Sequence, residues 1–144
     1  MTSLTSTPSA LSALHVLLVD DDSFMLELLV TMLRKIGVSR IVQASDGQRA
    51  LAAFEPGRAR PDLIICDIHM PGKDGFQVME EIGARGYRGG VVLLSGMTSR
   101  VLNSAALMGR FHHLNVLGVL QKPVSREALA DLLARALASQ EHQP

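Results

Sequence analysis

At 144 residues the chain has the length of one typical domain and can bury a core. Hydrophobic residues make up 47%, which excludes a disordered chain. Lys plus Arg equals Asp plus Glu at 14 each, and a formal charge of zero argues against a nucleic-acid-binding module.

Residues 1–13 read as a polar leader. They are rich in Ser and Thr and lack the basic and apolar regions of a secretory signal. His-Val-Leu-Leu-Val-Asp at 15–20 is a short apolar run ending in acid. A continuous apolar run suits a strand buried on both faces. A helix follows. Ser23 is its expected N-cap, and Asp22 adds negative charge near that end. Met25, Leu28, Leu29, Met32, Leu33 and Ile36 recur at helical spacing, and Gly37 is the expected stop. Met25 and Met32 read as core filling.

The alternation then repeats. Residues 40–44 form a short strand and 46–54 a short helix, and Pro56, Gly57 and Pro61 mark a loop. Residues 62–66 form a second apolar strand, which ends at Asp67. Met-Pro-Gly-Lys-Asp-Gly at 70–75 is dense in turn residues. A helix over 76–84 leads through a Gly-rich turn to an apolar strand over 91–94, which ends at Ser95. A helix is expected over 99–113, with Val101, Ala105 and Met108 on one face. The last strand, 116–121, ends at Lys122-Pro123. Ser125 caps a final helix carrying Leu129, Leu132, Leu133, Ala136 and Leu137. Five strands alternating with five helices imply an α/β fold, a single doubly wound parallel sheet with helices on both faces. No linker and no second domain is expected.

Cys66 is the single cysteine, so an internal disulfide and a multi-cysteine zinc site are excluded. No apolar run approaches the roughly 18 residues of a membrane span. The expectation is a cytoplasmic protein with neither membrane nor nucleic-acid partners. Arg34, Lys35, Arg40, Arg49, Arg58 and Arg60 are scattered and read as solvated surface.

In an open parallel sheet, ligands bind outside the carboxyl ends of the strands. Those ends carry Asp20 and Asp21, then Asp67, Ser95 and Lys122, while the second strand contributes no acid. Gathered carboxylates repel, and at least one tends to hold a proton. A divalent cation with hard oxygen ligands, Mg²⁺ or Mn²⁺, resolves the repulsion. Asp67 is then a nucleophile for phosphorus, giving an acyl phosphate. Lys122 offers a point charge to a phosphoryl oxygen, and the Ser95 hydroxyl offers a hydrogen bond. Singly, each residue has an ordinary reading. An acid after a strand caps a helix, Ser95 turns the chain, and Lys122 faces solvent. The conjunction at four strand ends carries the inference.

These residues resemble the receiver domain of two-component response regulators. The matching stretches are Val-Leu-Leu-Val-Asp-Asp, Leu-Ile-Ile-Cys-Asp-Ile-His-Met-Pro-Gly-Lys-Asp-Gly, Val-Val-Leu-Leu-Ser-Gly and Gln-Lys-Pro. The resemblance spans residues 14–139, with 140–144 a tail or the start of a linker. It implies a flavodoxin-like sheet of strand order 2-1-3-4-5. It also implies that Asp67 accepts a phosphoryl group from a histidine kinase or phosphotransfer protein, without the chain being an enzyme on other substrates. Asp20, Asp21, Asp67 and the backbone carbonyl of His69 would hold the metal, Ser95 and Lys122 would contact the phosphoryl group, and Lys122-Pro123 would be cis.

The chain departs from the family pattern at three places. Val119 stands where many receivers carry Tyr or Phe, Val124 replaces a frequent Phe after Lys-Pro, and His69 lies two residues after the acceptor. His69 either tunes the acyl phosphate or faces solvent. The stretch between Ser95 and Lys122 is longer than usual and resembles receivers attached to cyclic-di-GMP phosphodiesterase domains. An effector domain outside this chain and a homodimer are both compatible outputs. The expected signalling surface includes Met108, Val119 and residues 126–138. His112 and His113 are adjacent on the expected helix, point about 100° apart and read as surface. Three other classes compete. A haloacid-dehalogenase-like phosphohydrolase would carry a second Asp where His69 stands. A flavodoxin-like cofactor binder is disfavoured by one Tyr and no Trp. A pseudo-receiver would dispense with the intact acid, hydroxyl and lysine set.

Overall fold

The computed structural model describes residues 10–70, 75–96, 111 and 113–141. Five strands form one parallel sheet: β1 (His15–Val19), β2 (Arg40–Ala44), β3 (Leu63–Asp67), β4 (Gly90–Ser95) and β5 (Asn115–Gln121). Their order is β2-β1-β3-β4-β5, the doubly wound arrangement expected from the family resemblance. Among the described residues the helices are α1 (Ser23–Ile36), α2 (Gly47–Ala52), α3 (Gly75–Ala84) and α4 (Arg126–Glu141). The expected helix over 99–113, with Met108, lies largely outside the described residues.

The strands read as unbroken apolar runs because both sheet faces are covered. Successive strand side chains point to opposite sides. Leu17, Val19, Ile64, Cys66, Val91 and Leu93 join α2, α3 and Phe111 in one core layer. Val16, Leu18, Leu63, Ile65, Val92 and Leu94 join α1 and α4 in the other. All five residues of β3 and all six of β4 are buried. The edge strand β2 is mostly exposed, with Val42 facing solvent.

Three local features differ from expectation. The N-cap of α1 is Asp22, not Ser23: its carboxylate accepts from the amides of Phe24 and Met25 at 3.0 and 3.4 Å. Asp22 keeps the extended backbone of a cap while Ser23 already lies in the helix, so the longer acidic side chain takes the first free amides. The helix expected over 46–54 is shorter, because Ala53 and Phe54 tighten into three-residue turns onto Ala50 and Leu51. The packed chain also begins ahead of residue 14. Residues 10–13 form a helical turn, and Leu11 and Leu14 are buried in the α1/α4 core layer. Ser39 Oγ donates to the Ser12 carbonyl and Arg40 Nη1 to the Ala13 carbonyl, each at 3.2 Å. Leu11 lies against Gly37, whose φ of 129° ends α1 in a conformation that favours glycine.

Candidate functional site

Parallel pairing sets the carboxyl ends of the strands side by side. Val19 is in register with Cys66, Asp67 with Leu94, and Ser95 with Gln121. The residues just past or at those ends therefore converge. Asp20 follows β1, with its amide bonded to the Ala44 carbonyl of β2 at 3.1 Å. Asp67 is the last residue of β3, Ser95 the last of β4, and Lys122 follows β5, its amide bonded to the Ser95 carbonyl at 2.8 Å. The Lys122-Pro123 bond is cis.

Asp20, Asp67 and Ser95 are the buried polar or charged residues among those described. Lys122 reaches across to both carboxylates. Its Nζ donates to Asp67 Oδ2 at 2.9 Å and makes an ion-pair contact with Asp20 Oδ2 at 3.0 Å. The other Asp67 oxygen, Oδ1, accepts from the His69 amide at 2.9 Å, and Asp20 Oδ1 accepts from the Asp22 amide at 2.9 Å. Among the described residues, Ser95 Oγ makes only a long 3.5 Å contact with the Gly96 carbonyl. Gly75 opens α3 directly against this site. A Cβ there would lie 2.3 Å from the Asp67 carbonyl oxygen and 2.4 Å from Ile68 Cα, so only glycine lets α3 approach the acceptor strand so closely.

Burial pushes the Asp20 carboxyl above its ordinary range. The Asp22 amide and Lys122 oppose that shift, and the negative charge of Asp67 adds to it. Burial disfavours the charge of Lys122, but its hydrogen bonds and attraction to Asp67 and Asp20 outweigh this and hold its ammonium above the usual range. The cluster is thus one cation shared by two buried anions, with the exposed Asp21 at its mouth.

Carboxylate oxygens of Asp20, Asp21 and Asp67 lie within 4.8 Å of one another. Asp20 Oδ2 is fully buried and, among the described residues, is met only by the Lys122 ammonium at 3.0 Å. A buried carboxylate oxygen left in that state, beside two more carboxylates, fits a hard divalent cation. The structure thus brings together Asp20, Asp21, Asp67 and Lys122, with Ser95 on the adjacent strand end. His69 is exposed and contributes its amide to Asp67. Val119 is half-buried against the α2/α3 core layer. Sequence reasoning set Asp22 at the helix end without making it the cap, and it placed Gly75 in a turn without foreseeing its close packing. The only written signals for them were an acid preceding a serine and a glycine inside a turn-rich run.

A family model described as the response regulator receiver domain matches residues 16–134. The cyclic di-GMP phosphodiesterase RocR of Pseudomonas aeruginosa is 33% identical over 131 residues, covering 91% of this chain and 33% of that protein. The positive alginate biosynthesis regulatory protein of the same organism is 30% identical, covering 85% of this chain and 47% of its own length. The chain therefore spans less than half of either relative. Among solved structures, the signal receiver domain of an HD domain-containing protein from Pseudomonas fluorescens superposes with a TM-score of 0.75 at 25% identity, covering 90% of this chain and 98% of that one.

Proposed function

Because this chain belongs to the response regulator receiver domain family, and is the receiver domain of a two-component response regulator, we propose that Asp67 is its phosphoacceptor. The observation that carries the proposal is the pairing of Asp67 Oδ2 with Lys122 Nζ at 2.9 Å inside a cluster of three carboxylates. An Asp67 oxygen attacks phosphorus, forming an O–P bond as the N–P bond to a phosphohistidine breaks, and the electron pair leaves with the imidazole nitrogen. The donor is a histidine kinase or a phosphotransfer protein. Lys122 already holds one Asp67 oxygen in place and offers its charge to the oxygens of the arriving group. The Ser95 hydroxyl, on the neighbouring strand end, donates to another. The His69 amide fixes the second Asp67 oxygen, so the carboxylate is oriented before transfer.

Mg²⁺ or Mn²⁺ would be held by Asp20, Asp21, Asp67 and the backbone carbonyl of His69, and when bound it neutralises charge on the transferring group. The domain acts as a cytoplasmic signalling module and not as an enzyme on added phosphate esters. Its output passes through a protein surface that includes β5 and α4, either to an effector region in a longer chain or to a second copy.

Acetyl phosphate or phosphoramidate with Mg²⁺ should add one phosphoryl group by intact-mass spectrometry, and Asp67→Asn should abolish the adduct. An equal adduct on the variant, or none on the native protein, would refute the assignment. Rapid turnover of phosphomonoesters would favour a hydrolase instead.

A further inference from the structure

The end of the sheet opposite Asp67 carries chemistry that phosphoryl transfer does not use. Two loops meet there. The one after α2 holds Glu55, Arg58, Arg60 and Asp62, and the one after α3 holds Arg85, Arg88 and no acid. The Gly90 amide bonds to the Asp62 carbonyl at 3.0 Å, and Arg85 Nη1 reaches the Leu51 carbonyl at 3.4 Å. The rings of Phe54 and Tyr87 meet edge to face, with centroids 5.4 Å apart. All four arginines are exposed, and Arg60 lies over the Phe54 ring at 5.7 Å. Between the loops and the last turn of α4 is a hollow of about 320 Å³, lined by Arg60, Asp62, Gly86, Arg88 and Gln140 among others. The two loops together hold four arginines and two acids, of which Arg60, Arg88 and Asp62 line the hollow, with Glu80 and Glu81 on the adjoining α3, and one oxygen of Asp62 is already taken by the His15 amide at 2.8 Å. Asp20, Asp21, Asp46 and Asp67 stand at the other end of the strands. These two loops therefore carry a local surplus of arginine over acid.

We propose that this hollow docks an acidic stretch of polypeptide. Guanidinium forks match carboxylates in two-point contacts. Asp62 and Gln140 add acceptors for N–H groups, which a peptide offers and a phosphodiester chain lacks. Nucleic acid fits poorly here. Phe54 and Tyr87 are each only 5% exposed and cannot stack on bases, and Asp62 would face phosphate. Gly86, at a φ of 78° with nothing within 4 Å of a Cβ built on it, leaves the rim open to a partner backbone. The five residues of β3 separate the hollow from Asp67 by roughly 16 Å, so both can be engaged at once.

Amide NMR titration tests this with a blocked hexaglutamate peptide as probe. Saturable shifts are expected at Gly86, Tyr87, Arg88 and Gln140, weakening as salt is raised. Binding should be about tenfold weaker in Arg60→Gln/Arg88→Gln and unchanged in Asp67→Asn, which separates this inference from the phosphoacceptor assignment. Absence of saturable shifts at these amides overturns the proposal. So does undiminished binding by the double variant, or equal binding of oligodeoxythymidylate or inorganic phosphate. If the double variant fails to fold, hexalysine on the native protein decides: it must leave these amides unmoved, and equal shifts refute the proposal.

Discussion

Replacing Lys122 by Met keeps most of the side-chain volume and removes the cation that two buried carboxylates share. Its contacts with Asp67 and Asp20 are 2.9 and 3.0 Å long. At an effective dielectric of about 20, each has a gross Coulomb attraction of roughly 5 kcal/mol. Most of that offsets the desolvation of the three charges. Breaking such a pair by removing one partner typically costs about 3–5 kcal/mol. The Lys122 side chain retains 22% exposure, so water screens the contact and the low end applies, about 3 kcal/mol. For a chain of this size that lowers Tm by roughly 10 °C. The effect depends on pH. Asp20 already binds its proton more tightly in the folded state than in the unfolded one. Its charge therefore destabilises the fold as pH rises above the unfolded carboxylate value, and that penalty disappears below it. Loss of Lys122 enlarges the penalty, so Lys122→Met should differ most from native at neutral pH and least near the ordinary carboxylate range. Urea and thermal unfolding in EDTA and in Mg²⁺ measure this. Mg²⁺ should restore more stability to the variant than it adds to the native protein, because it replaces the missing positive charge. A variant as stable as native in EDTA at neutral pH, or an equal Mg²⁺ effect on both, would show that Lys122 does not balance these carboxylates.

Three smaller perturbations follow from named contacts. Gly75→Ala places a methyl group 2.3 Å from the Asp67 carbonyl oxygen, where rigid backbone must move. It should cost about 1–3 kcal/mol in urea unfolding and slow phosphorylation at Asp67, and a neutral effect on both would mean α3 shifts freely. Asp22→Ala removes the acceptor for the Phe24 and Met25 amides and should cost about 1 kcal/mol, whereas Ser23→Ala should cost little. The reverse ranking would restore Ser23 as the cap. Burial, aided by the charge of Asp62, raises the phenol of Tyr87, whose hydroxyl donates to the Gly90 carbonyl at 3.2 Å. The unfolded chain then releases that proton first, so stability should fall as pH rises past about 10. Tyr87→Phe should unfold with a shallower alkaline slope, and early phenolate absorbance from this single tyrosine in the folded protein would contradict the expected burial.

Much of the fold was legible because burial on both faces writes itself as unbroken apolar runs. Val-Leu-Leu-Val, Leu-Ile-Ile-Cys and Val-Val-Leu-Leu need no partner to be recognised. The site was legible for a related reason: each of its side chains sits at the carboxyl end of such a run. Capping was less so, since Asp22 and Ser23 are both good caps and the choice depends on which residue leaves the extended backbone. Leu11 was hidden inside a Ser/Thr-rich stretch. It is a core residue only because the turn at 10–13 folds onto Gly37 at the end of α1. Arg60 reads as scattered surface charge until the fold sets it with Arg88 around one hollow beside the Phe54–Tyr87 contact.

By itself, then, the sequence determined the five strands, the parallel α/β class and the identity of the residues at the strand ends, because these depend on local pattern and covalent order. Only the tertiary structure decided that Lys122 is shared between Asp20 and Asp67, that Gly75 must be without a side chain, and that Arg60 and Arg88 line one hollow at the opposite end. The physical reason is distance. Electrostatic and steric effects act over a few ångströms through space, and the strand order β2-β1-β3-β4-β5 sets which distant stretches of chain come that close.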